Sequence, residues 1–121
     1  MGFSKDNIAE LVALLDAGQI GRVSLICSHY FKGTSNGIWE LAQAELAQRG
    51  DRARFLSIRN HCKIIALKLT DGRTVTIETS ANLRSCKNIE QMTIFGHPEV
   101  YQFHVGWMNG LYAAPMTGDR L

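Results

Sequence analysis

The stretch HCKIIALKLTDGRTVTIETSANLRSCKNIE, residues 61–90, decides how the chain is read. Two apolar runs flank Asp71-Gly72, a dipeptide that favours a tight hairpin turn. Polar residues stand at the outer ends of the runs. His61 and Lys63 open the first, Ser80 and Asn82 follow the second, and Glu90 comes shortly after. Side chains alternate faces along a strand, so His61 and Lys63 share a face and Cys62 points away. Paired strands run about 5 Å apart, so the segment around Thr79 to Ala81 is expected within reach of His61 to Lys63. An imidazole, an ammonium, a hydroxyl, an amide and a carboxylate at one end of a hairpin suit attack on a phosphate ester. In this reading Glu90 orients the His61 ring, and Lys63 and Asn82 hold phosphate oxygens.

Working outward, Cys62 to Leu69 is the most apolar segment and is expected as a central strand, with Arg73 to Thr79 as its return. Ala81 to Asn88 is a polar connection and Ile89 to Phe95 a final strand. Pro98, after Gly96-His97, sits at the favoured first position of a helix. Val100, Phe103, His104, Trp107 and Leu111 mark one face of that helix. His104 is expected at the core edge and His97 as a cap or loop residue.

On the amino-terminal side, Asn7 and Glu10 fit the N-x-x-E form of a helix cap, Ile8, Leu11, Val12 and Leu15 recur at helical spacing, and Gly18 is a natural stop. Arg22 to Cys27 reads as a buried strand. Ser28-His29 follows at its carboxyl end, where α/β proteins often place ligands. Lys32 to Asn36 is a loop, Ile38 to Gln48 a helix, and Arg52 to Ile58 an alternating strand with Arg54, Leu56 and Ile58 on one face. The order is α-β-α-β-β-β-β-α. The fold class is α/β, of α+β character: a mixed sheet flanked by helices, in a single domain spanning residues 1–121, with an N-terminal helix in residues 1–20 and a loose tail from 114.

The 121 residues fit one compact domain, and a formal charge of +2 permits a polyanionic partner without demanding one. No stretch approaches the roughly 20 apolar residues of a membrane helix, so no membrane partner is expected. Cys27, Cys62 and Cys86 include no C-x-x-C pair and read as reduced thiols of a cytoplasmic protein. No cofactor is expected, and the cysteines and histidines lack metal-ligand spacing. Arg59 and Arg84, with Ser28 and His29, are the candidate substrate-binding residues.

Together, the H-x-K of His61 and Lys63, the S-x-N of Ser80 and Asn82, and the N-x-E of Asn88 and Glu90 resemble the signature of the phospholipase D superfamily. The likeness runs from about Val23 onward and is nearest to small, phage-type proteins with one such motif. It implies a metal-independent phosphodiesterase in which His61 attacks phosphorus to form a phosphohistidine and a second histidine protonates the leaving oxygen. One motif per chain then implies a homodimer with a shared site. Nucleic acid is the expected substrate, and a phage or prophage origin fits the likeness. The sequence departs from the pattern at two places. Lys68 stands where H-x-K-x-x-x-x-D has its Asp, and Thr79 where a Gly usually precedes the Ser. Those departures motivate the alternative: a non-catalytic module of the same fold that binds nucleic acid or a protein partner.

Overall fold

A computed structural model describes residues 2–83 and 87–113 of the chain. Helix α1 (Lys5–Asp16) starts earlier than expected, because Ser4, not Asn7, caps it. The Ser4 hydroxyl accepts the Asn7 amide at 3.2 Å, and the Asn7 side chain reaches back to accept the Ser4 amide at 2.8 Å. This is a capping box in which Asn takes the reciprocal position. The helix ends before Gly18, as expected. The Arg52 guanidinium donates from a distance to the Leu15 carbonyl in the last turn of α1 and to the Ile20 and Gly21 carbonyls beyond it.

Strand β1 (Val23–Ser28) pairs in parallel with β2 (Ala53–Ile58), with Val23 opposite Ala53 and Ser28 opposite Ile58. The crossover between them carries two helices. Segment α2 (His29–Thr34) occupies part of the expected loop, and α3 (Ile38–Ala47) follows. A parallel pair needs such a crossover, and its helices cover one face of the strands. Phe3, Ile8, Cys27, Phe31 and Ala42 form the buried centre there, with Val12, Leu25, Ile38, Trp39 and Phe55 packed around it. The Phe3 ring lies 4.5 Å from Phe31, and Trp39 lies 5.7 Å from Phe55.

The next three strands form a separate antiparallel sheet of order β3-β4-β5: β3 (Ile64–Lys68), β4 (Thr74–Thr79) and β5 (Met92–Phe95). The expectation of one mixed sheet is corrected to two, and β3 is an edge strand rather than a central one. A local device explains the break. The Asn60 side chain accepts the Cys62 amide at 2.7 Å, an Asx turn that redirects the chain between β2 and β3. The hairpin turn forms as the D-G pair predicts. Gly72 adopts φ 89°, a left-handed conformation that favours glycine, and Leu69 donates to the Arg73 carbonyl at 2.9 Å. Arg73 pairs with Asp71 at 2.8 Å within that turn.

Helix α4 (Pro98–Ala113) begins at Pro98 as expected and joins the two sheets. His104 meets Glu78 of β4, while the Tyr112 hydroxyl donates to the Leu25 carbonyl of β1 at 2.8 Å. Phe103 does not share the packed face. Its ring is 70% exposed, whereas His104 beside it is buried.

Candidate functional site

Backbone hydrogen bonding extends the hairpin one step past its strands: the Thr79 amide donates to the Lys63 carbonyl at 3.0 Å. In that register Lys63 lies opposite Thr79, and Met92 of β5 is paired with Thr79 in turn. Alternation puts Lys63, Ile65, Leu67, Val75, Ile77, Thr79, Met92 and Ile94 on one face, and Ile64, Ala66, Thr76 and Glu78 on the face that α4 covers.

His61 and Lys63 are brought together as the sequence implies. The Lys63 ammonium donates to His61 Nδ1 at 3.3 Å and to the His61 carbonyl at 3.1 Å. Because an ammonium only donates, Nδ1 is the acceptor, and the proton of the neutral ring sits on Nε2. The His61 ring is exposed.

Ser80 and Glu90 form a second pair. The Ser80 hydroxyl donates to Glu90 Oε2 and accepts the Gln91 amide at 2.9 Å. The expected Glu90 hydrogen bond to His61 is therefore replaced by one to Ser80. The reason is register: the Ser80 amide donates to the Gln91 carbonyl at 3.0 Å, which sets Glu90 beside the end of β4 rather than beside β3. Strand alternation also places Ser80 on the α4 side of the sheet, away from Lys63. Thr79, at the position where the resemblance expects Gly, donates its hydroxyl to the Gln91 carbonyl and accepts the Ala81 amide, both at 3.0 Å. Its side chain thereby fixes the turn out of β4.

Asn82 is held by the amino-terminal segment. The Gly2 amide donates to Asn82 Oδ1 at 2.7 Å, and the Leu83 amide donates back to the Gly2 carbonyl at 3.0 Å. A backbone donor requires an oxygen opposite it, so the Asn82 amide has one orientation, and its Nδ2 meets no acceptor among the described residues. A Cβ on Gly2 would lie 3.3 Å from that oxygen, a tight contact that Asn82 would have to ease by a few tenths of an ångström.

The candidate substrate-binding residues do not gather around His61. Ser28 caps α2, accepting the Phe31 amide at 3.0 Å. His29 meets Ser57 through Nδ1 at 3.2 Å, while its buried Nε2 has no partner among the described residues. Arg59 is exposed and forms no ion pair among the described residues. Arg84 lies outside the described residues.

Two features were not singled out as sites from the sequence. One is the chain Trp107–His104–Glu78. The indole donates to His104 Nδ1 at 3.1 Å, so Nε2 carries the proton and meets Glu78 Oε1 at 2.7 Å. The i, i+3 spacing of His104 and Trp107 was the available signal. The other is a polar cleft lined by Arg22, Ser24, Asp51, Arg54 and Asn109. Its signal was Arg54, a charge at the exposed start of the strand face that carries Leu56 and Ile58.

Cys27 and Cys62 are free thiols, the first buried and the second exposed. Burial pushes the Cys27 thiol up to about 11. Among the described residues no histidine, cysteine and carboxylate group forms a metal-binding cluster, and no helix is long and apolar enough to cross a membrane. No protein-family model, curated protein or solved structure matches this chain.

Proposed function

We propose that the chain is a phospholipase D-type phosphodiesterase, working as a homodimer on nucleic acid through a phosphohistidine and without a metal. The observation that carries this reading is the exposed His61 ring with the Lys63 ammonium on Nδ1 at 3.3 Å. In the proposed reaction an arriving phosphate draws Lys63 onto its oxygens and uncovers the ring's lone pair. That lone pair forms the P–N bond as the P–O bond to the leaving oxygen breaks. A second histidine, from the partner chain, gives that oxygen its proton. Water then cleaves the P–N bond and the histidine takes a proton back. Asn82 Nδ2 offers further hydrogen bonds to the phosphate, and the Ser80–Glu90 pair braces the strand end.

The bare sheet face supports the homodimer. Leu67, Met92 and Ile94 are 42%, 57% and 63% exposed and share the face on which Lys63 lies. A copy seated there about a two-fold axis near Lys63 brings two histidines to one site. The test is chemical. Brief incubation with a phosphodiester substrate and an acid-sparing quench should leave a phosphoryl group on the parent and none on His61→Ala. Hydrolysis by His61→Ala at the parental rate sinks the reading.

The second reading, a binding module without turnover, is favoured by the Glu90–Ser80 bond: among the described residues the His61 ring meets Lys63 and no carboxylate. It expects tight nucleic-acid binding and no trapped phosphoryl group.

A further inference from the structure

The cleft at the amino-terminal ends of β1 and β2 has a volume of about 370 Å³, within the size range of small-ligand sites. Arg54, exposed on its wall, has a guanidinium held on three sides. Nε donates to Ser24 Oγ at 2.9 Å, a terminal nitrogen donates to Asn109 Oδ1 at 2.8 Å, and the plane lies 4.3 Å above the Tyr112 ring. These partners share one property: none is a carboxylate. The contrast with Arg49 and Arg73 is direct, since those pair with Asp16 and Glu45 and with Asp71. Arg54 is therefore oriented without being neutralised, and its second terminal nitrogen keeps its hydrogens.

Arg22 stands on the same cleft and has no hydrogen-bond or ion-pair partner among the described residues. A role as a strut between β2 and α4 accounts for Arg54 alone. It gives no reason for a second, unpartnered guanidinium beside it. The Arg22 fork and the remaining terminal nitrogen of Arg54, with a hydroxyl and an amide around one cleft, match the oxygens of a phosphate group. Asp51, the one acidic lining residue, opposes a free dianion but accepts hydrogen bonds from hydroxyl groups.

We propose that Arg22, Arg54, Ser24 and Asn109 form a phosphate-binding site, separate from His61, for a phosphate borne on a hydroxylated carrier: a nucleotide or a nucleic-acid backbone. Arg54 supplies the fixed donors and Arg22 closes on the ligand. Asp51 selects against bare phosphate and for a carrier with a hydroxyl beside the phosphate. β2 runs from Arg54 away toward Ile58, beyond which His61 lies. At about 3.3 Å per residue, the site sits more than 10 Å from the histidine.

The proposal is tested by titrating the isotope-labelled full chain with inorganic phosphate, a 5′-ribonucleotide and a short single-stranded oligonucleotide, following the Arg54 Nε, Ser24 and Asn109 resonances. Saturable shifts at these three are expected. Arg22→Gln, which removes no contact of the fold, should weaken binding about tenfold, the loss of one charge-assisted hydrogen bond. Asp51→Asn should tighten inorganic phosphate and loosen the nucleotide. The tighter of nucleotide and oligonucleotide names the carrier. The inorganic phosphate and ribonucleotide shifts do not involve a phosphodiester, so failure here does not bear on the phosphohistidine chemistry. The proposal is overturned if the three resonances do not move, or if they move equally in the parent and in Arg22→Gln.

Discussion

The first and second halves of the chain bury their apolar residues very differently. Before residue 59, Phe3, Ile8, Leu15, Cys27, Phe31, Ala42, Leu46, Leu56 and Ile58 are all nearly inaccessible. After it, among the described residues, those buried to that degree are Thr76 and His104, both polar, while Leu67, Leu83, Ile89, Met92, Ile94 and Phe103 are exposed. The difference comes from topology. A parallel strand pair with its crossover helices closes a core on itself. A three-stranded antiparallel sheet with one helix has a second face to leave open. The first half thus has the means to fold on its own contacts, and the second is held by specific polar ties and leaves a face for a partner.

The largest effect should come from the closed core. Leu46→Ala is expected to lower unfolding free energy by about 3 kcal/mol, since the surrounding helices cannot collapse into the space. Ile94→Ala in the bare sheet should cost under about 0.5 kcal/mol at concentrations where the chain is monomeric. Equal losses in a denaturant titration would erase the contrast between the halves.

A smaller loss is expected at the polar tie of the second half. His104→Ala leaves Glu78 and the Trp107 indole without their shared partner and should cost about 2 kcal/mol. Tyr112→Phe, which removes one hydrogen bond to the Leu25 carbonyl, should cost about 1 kcal/mol.

The same contrast is readable by pH. The Cys27 thiol is raised from 9.0 to about 11, chiefly by burial, and burial likewise raises the Tyr112 phenol. A raised folded-state value favours the protonated group, so this contribution is fully present below about 9 and is lost as pH rises from there toward 11. Stability measured from pH 8 to 11 should fall, and the fall should be shallower in Cys27→Ala. A parallel slope in both would remove Cys27 from the account. In native protein a thiol reagent should modify Cys62 and spare Cys27.

The most delicate test concerns the open face itself. Ile94→Lys should leave the melting temperature of dilute protein almost unchanged and abolish any self-association seen by sedimentation. A parent chain that stays monomeric at high concentration would deprive the proposed reaction of its second histidine.

Local chemistry made much of this legible in the sequence. Asp71-Gly72, Pro98 and the Leu and Ile spacing of α1 each announce an element through a constraint carried by neighbouring residues. What was not legible depended on which polar side chain captures a given backbone group and on strand register. Ser4 outcompeted Asn7 as a cap because Asn7 could serve the reciprocal role. Asn60 broke the expected single sheet with one side-chain hydrogen bond. Within the candidate site, the His61–Lys63 contact followed from a two-residue spacing. The fate of Glu90 turned on the register of β5, which the polar connection from Ala81 to Asn88 does not encode.

The bond between Gly2 and Asn82 has a kinetic consequence. It closes a loop of 80 residues, whereas the β3–β4 hairpin closes over a handful. Contacts of such separation carry the larger loop-closure entropy and are expected to form late. The hairpin bearing His61 and Lys63 can therefore exist before the Gly2 amide has fixed the Asn82 side chain. The tie to the amino-terminal segment comes last, so under the proposed function a chain still folding presents His61 before Asn82 is oriented.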